Sequence, residues 1–106
     1  MRVRILTSAH NDLVDGYWFY ERQGEGLGDY FADTLYAEIE SLALYAGIHP
    51  RRFDFFRALS RRFPYSIYYE IEPTDEGREA RVYGVLDNRR NPSWIYNHLQ
   101  ESKGVK

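Results

Sequence analysis

Arginine is the residue type in this chain best placed to do chemistry. Residues 51–62, RRFDFFRALSRR, hold five arginines against one aspartate, and Arg89 and Arg90 follow a later apolar run. A guanidinium offers a fixed fork of donors that matches phosphate and carboxylate oxygens, and it can offset charge developing on a phosphoryl group. Arg57, Arg61 and Arg62 close one extended segment, while Arg89 and Arg90 close another. Antiparallel pairing of those segments would bring the two groups towards one end of a sheet. The plain alternative is a solvated, salt-bridged rim without a ligand.

Other chemistries find less support. His10, His49 and His98 are not at ligand spacing, and there is no cysteine, so no metal site, disulfide or cofactor is expected. GEGLG, residues 24–28, lacks the Lys-Ser/Thr of a phosphate loop and follows no strand. No Gly-x-Ser-x-Gly elbow occurs. Asp12 and Asp15, like Glu38 and Glu40, read as solvated acids on helix faces.

A chain of 106 residues with 43% hydrophobic and 28% charged side chains predicts one domain, over 1–100, with a frayed tail at 101–106. It has no apolar stretch suited to a membrane span and no N-terminal secretory signal, so a cytoplasmic protein is expected. Net charge is −2, with three basic and eight acidic side chains in residues 1–50. A basic block inside an acidic chain suggests a directed surface rather than general affinity for nucleic acid. Ten tyrosines suit a small core with polar tips, or a ring-lined binding face.

The elements that must position these residues follow from periodicity. RVRILT, residues 2–7, alternates as a strand with Val3 and Ile5 on one face. Ser8 is the expected N-cap of a first helix. Ala9, Leu13, Gly16, Tyr17 and Tyr20 form its main face, with Val14 and Trp18 a second apolar stripe. That helix must pack on two sides or present Trp18 to a partner. After the glycine turn, Phe31, Leu35, Ile39, Leu42 and Ala46 predict one helix over 28–46, closed by Gly47 and Pro50. A period of two then predicts strands over 51–59, 65–72 and 78–87, with PTDEG, 73–77, as a hairpin loop. Ala80, Val82, Gly84 and Leu86 are assigned one face. A short helix over 93–100 follows. The order β-α-α-β-β-β with a C-terminal helix predicts an α+β fold, a helical hairpin packed on a mostly antiparallel sheet. Its predicted core is Leu13, Tyr17, Phe31, Leu35, Ile39 and Leu42 against Ile67, Tyr69, Val82 and Leu86.

Three segments together resemble the RelE/ParE superfamily of type II toxin-antitoxin toxins: LVDGYWFYERQGEGLGDYF, FFRALSRRFPYSIYYEIE and ARVYGVLDNRRNPSWI. The likeness covers residues 8–96 and is nearest to the ParE-like, or plasmid stabilisation, branch. It implies a growth-inhibiting toxin that a cognate antitoxin wraps and neutralises. ParE-like members are associated with DNA gyrase inhibition and RelE-like members with mRNA cleavage on the ribosome. If the chain were such an endoribonuclease, the resemblance would give the catalytic roles to Arg57, Arg61, Arg89 and Tyr96. Ser66 stands where the RelE-like type has a basic residue, and Asp87 where the ParE-like branch commonly has histidine. The first departure ranks the ParE-like reading ahead of the nuclease. A third reading is a degenerate domain that binds an antitoxin and poisons nothing. The expected partner surface is Val14, Trp18 and Phe19 with Arg57, Arg61, Arg62, Arg89 and Arg90, in a homodimer or a toxin-antitoxin hetero-oligomer.

Overall fold

The computed structural model describes residues 1–104. Its elements are β1 (Arg2–Ile5), α1 (Thr7–Glu21), α2 (Leu27–Glu40), α3 (Leu42–Tyr45), β2 (Arg51–Arg52), β3 (Phe55–Leu59), β4 (Tyr65–Thr74), β5 (Gly77–Asp87) and α4 (Pro92–Lys103). The strands form one sheet in the order β1-β5-β4-β3-β2, antiparallel except where β1 runs parallel to β5. The α+β class, the element order and the C-terminal helix are those the periodicity predicts. Among the described residues no helix is long and apolar enough to cross a membrane.

The α1–α2 hairpin covers one sheet face. Leu13, Phe31, Leu35, Ile39 and Leu42 are buried there with Ile67, Tyr69, Val82 and Val85. Gly16 permits the close approach of the two helices, because a Cβ there would stand 2.5 Å from the Phe31 ring. The other face carries a second core, in which Ile95 and Leu99 of α4 pack on Leu6, Phe55, Tyr68, Tyr83 and Leu86. Two of the predicted core residues therefore differ from expectation. Tyr17 is only partly buried, and Leu86 lies beneath α4 rather than beneath the hairpin.

The Leu86 correction has a single cause. Tyr68 pairs with Gly84 but Tyr69 pairs with Val82, so Tyr83 is an extra residue in β5. Such a bulge reverses the alternation downstream. Ala80 and Val82 face the hairpin, and beyond the bulge Val85 does so in place of Gly84 and Leu86. Gly84 instead meets α4, where an added Cβ would lie 2.8 Å from Leu99 Cδ2.

Other boundaries moved for local reasons. Ser8 is not a cap. The helix begins at Thr7, and the Ser8 hydroxyl donates to the Tyr83 carbonyl at 2.7 Å. The helix predicted over 28–46 breaks at Ser41, whose hydroxyl donates to the Glu38 carbonyl at 2.6 Å and competes with the main-chain ladder. The strand predicted over 51–59 is a hairpin, with a turn at Phe53 and Asp54, both at positive φ (55° and 69°). Aspartate tolerates that conformation, but phenylalanine rarely adopts it. Its ring is held between the Arg52 guanidinium, 4.5 Å above it, and the α4-side core. β4 runs through Pro73 to Thr74, past the register where β3 begins, so the missing N–H falls on an edge. The predicted tail is helical to Lys103, with Ser102 buried. Residues 105–106 lie outside the described residues.

Candidate partner-binding site

β1 pairs with β5 only as far as Val82, where Leu6 N–H meets the Val82 carbonyl at 3.0 Å. Beyond that point β5 would expose an unpaired edge, and α1 supplies the missing partners from its side chains. Ser8 donates to Tyr83, and Asp12 Oδ2 accepts the Val85 N–H at 3.0 Å. Asp12 Oδ1 meets His98 Nε2 of α4 at 3.1 Å, so one carboxylate joins helix, sheet edge and C-terminal helix. The reading of Asp12 as a solvated acid is thus overturned. Burial raises its carboxyl from 3.8 to about 6, against the Val85 and His98 contacts that favour the charged form. A signal for this role is present in the sequence: Ser8 and Asp12 stand four residues apart, a short polar pair on one face of the helix.

Outward from Asp12 opens a cleft of about 420 Å³ between α1, the end of β5 and the start of α4. Trp18, Phe19 and Trp94 are exposed at its walls. Trp94 stacks on His98, with centroids 4.7 Å apart, and carries the Arg90 guanidinium 4.0 Å from its ring centre. Asn91 caps α4 by accepting the Ser93 N–H at 2.8 Å, which fixes where Trp94 stands. Asp87 lines the cleft and is engaged by Arg89, whose Nη2 lies 2.7 Å from Oδ2. That hydrogen bond holds the Asp87 carboxyl below its usual range, with burial opposing.

The arginines named from the sequence do not gather in one place. Trp18, Phe19 and Arg90 share the cleft, with Arg89 tied to its wall and Val14 exposed one turn before Trp18. Arg57 of β3 lies opposite Tyr68 of β4 on the sheet face that α4 covers in part, with its Nε enclosed and unpaired. Arg61 donates its N–H to Glu38 of α2 at 2.9 Å and lines a different groove. Arg62 reaches the Tyr30 hydroxyl at 3.0 Å. Tyr96 is exposed on α4. Neither of the two grooves is lined by more than one of Arg57, Arg61, Arg89 and Tyr96. Sequence reasoning missed Asp12, Trp94 and His98 as site residues, because the bulge and the α1–α4 contact that assemble them are not local. Among the described residues no three His, Asp or Glu side chains are grouped to hold a metal ion. No protein-family model matches the chain, and no curated protein matches it.

Proposed function

We propose that this protein is the toxin of a type II toxin-antitoxin module, of ParE-like type, which a cognate antitoxin neutralises and which inhibits DNA gyrase. The observation that carries the reading is the cleft edged by Trp18, Phe19, Trp94 and Arg90. Tryptophan, other aromatics and arginine are the side chains that dominate the binding energy of protein interfaces. Exposed aromatic rings grouped around a concavity favour a protein partner over a solvated rim. The helical hairpin on a mostly antiparallel sheet agrees with the segments that resemble the superfamily. The dispersal of Arg57, Arg61, Arg89 and Tyr96 favours inhibition by binding over phosphoryl chemistry, which needs its cations around one reacting group.

Induced expression without an antitoxin tests the reading. Growth arrest with a DNA-damage response is expected, and co-expression of the protein encoded beside it should relieve the arrest. Rapid cleavage of translated mRNA without that response would move the function to a RelE-like endonuclease. Unimpaired growth with well-folded protein would leave an antitoxin-binding domain without a target.

A further inference from the structure

Two apolar surfaces are left uncovered. One is an aliphatic groove of about 590 Å³ between the α2–α3 end of the hairpin and the edge of β3. Glu38 and Arg61 stand in its wall, and Ile48 and Leu59, 72% and 59% exposed, on its border. On the side away from β4, β2 covers β3 only opposite Phe55 and Phe56, so Leu59 is an open edge. The other surface is the α1 wall of the aromatic cleft, which shares no lining residue with the groove.

The α1 wall carries a pattern. Asp15, Trp18, Phe19 and Arg22 all line the cleft. They stand at i, i+3, i+4 and i+7 of one helix and so share one face. Trp18 and Phe19 are 50% and 44% exposed, and Val14, one turn before Trp18, is exposed as well. Asp15 and Arg22 are both exposed, and neither forms an ion pair among the described residues. Seven positions separate them, about 10 Å along the helix axis, so they do not meet each other on their own helix. The acid and the base lie at equal distances from a centre between Trp18 and Phe19.

That spacing is self-complementary. When two copies of α1 cross antiparallel about a two-fold axis at this centre, Asp15 of each meets Arg22 of the other, and Trp18 of each faces Phe19 of the other. A two-fold contact requires a patch that is its own partner, and acid, two rings, base is such a patch. A parallel crossing in the same register would set like charges against each other. We propose that the protein, without another partner, forms a two-fold dimer through the Asp15–Arg22 face of α1. The rings cover one another, which removes an apolar patch from water. The two Asp15–Arg22 pairs lie at the rim and fix register more than strength. The dimer hides one wall of the cleft, so a protein partner that uses Trp18 must separate the copies. Self-association of this kind is independent of which partner the cleft takes.

The test is sedimentation velocity of the full chain over a concentration series, with folding checked by circular dichroism and melting. Wild type, Asp15→Arg, Arg22→Asp, the double variant and an equimolar mixture of the two single variants are compared. Wild type is expected to sediment as a monomer–dimer equilibrium. Each single reversal sets like charges together at both rims and should weaken the dimer about tenfold or more. In the mixture, the two basic positions of one variant face the two acidic positions of the other, so a heterodimer should form. The double variant exchanges the charges and should dimerise like wild type. Rescue by mixing is a result that damaged folding would not give. Monomeric wild type at every concentration would overturn the proposal, and so would folded single variants whose mixture stays monomeric. A dimer that both reversals leave intact and Leu59→Asp dissociates would move self-association to the aliphatic groove and overturn it as well.

Discussion

The aromatic cleft and the aliphatic groove differ in how their polar groups are met. At the cleft, Asp12 serves both Val85 and His98, and Asp87 is engaged by Arg89. Its buried carboxylates are satisfied within the chain, and its exposed rings add contact area without leaving a buried polar group unmet. At the groove, Glu38 keeps an enclosed oxygen without a donor and Leu59 keeps an open edge. Internal satisfaction makes a rigid, preorganised surface, whereas an open strand edge leaves main-chain groups to solvent. The two regions therefore suit different kinds of contact: side-chain anchoring at the first, main-chain pairing at the second.

The largest change would come from the floor beneath the hairpin. Leu35 of α2 is fully buried between the hairpin and the sheet, so Leu35→Ala should cost about 2–5 kcal/mol in denaturant unfolding. A change below about 0.5 kcal/mol would show that the helix register is wrong. Asp12→Ala comes next. It leaves the Val85 N–H and His98 without their acceptor and should cost about 1–3 kcal/mol. Faster hydrogen exchange at Val85 and through α4, with Leu59 unaffected, would show that the polar junction belongs to the cleft alone. Gly84→Ala should cost about 1–3 kcal/mol by pushing Leu99 away. The shift of α4 is readable in Trp94 fluorescence.

Titration separates the regions more finely. The Asp12 carboxyl is raised by burial to about 6 in the folded chain, above its unfolded value of 3.8. The folded state then binds the proton more tightly, so the Asp12 contribution to stability falls as pH rises from about 4 to about 6 and is level above that. Asp12→Asn removes this titration. Wild-type minus variant stability should drop across that window and then flatten, and a flat difference throughout would refute a raised Asp12. The smallest stability effect belongs to Trp18→Ala, within about 0.5 kcal/mol, because the ring is half-exposed. Its effect should appear in partner affinity instead. Under the toxin-antitoxin reading, charge reversal at Arg61 should weaken the complex with the antitoxin and flatten its salt dependence, while Arg57→Gln, on the other side of the sheet, should leave both nearly unchanged. Equal effects would merge the two arginines into one surface.

Much of the fold was legible because amphipathic periodicity is local. Phe31, Leu35 and Ile39 declare one helix face by their spacing, and Tyr65, Ile67 and Tyr69 declare one strand face, whatever they later pack against. A helix apolar around more than half its girth left two outcomes open for Trp18, a place in the core or exposure, and the structure decides for exposure. The expectation failed at Leu86, since one extra residue at Tyr83 exchanges the faces of β5, and a bulge depends on what the neighbouring strand does. It failed at Asp12 because a carboxylate on a helix looks the same in sequence whether it meets water or an unpaired strand edge. Alternation alone would put Arg57 and Arg61 on one face; they separate because β3 ends at Leu59, and that Arg61 meets Glu38, 23 residues away, required the hairpin to close over the sheet. The sequence by itself determined which side of each element is apolar, because that follows from the spacing of neighbouring residues. Only the tertiary structure decided which polar groups find partners, because an acceptor and its donor can be as far apart in the chain as Asp12 and His98.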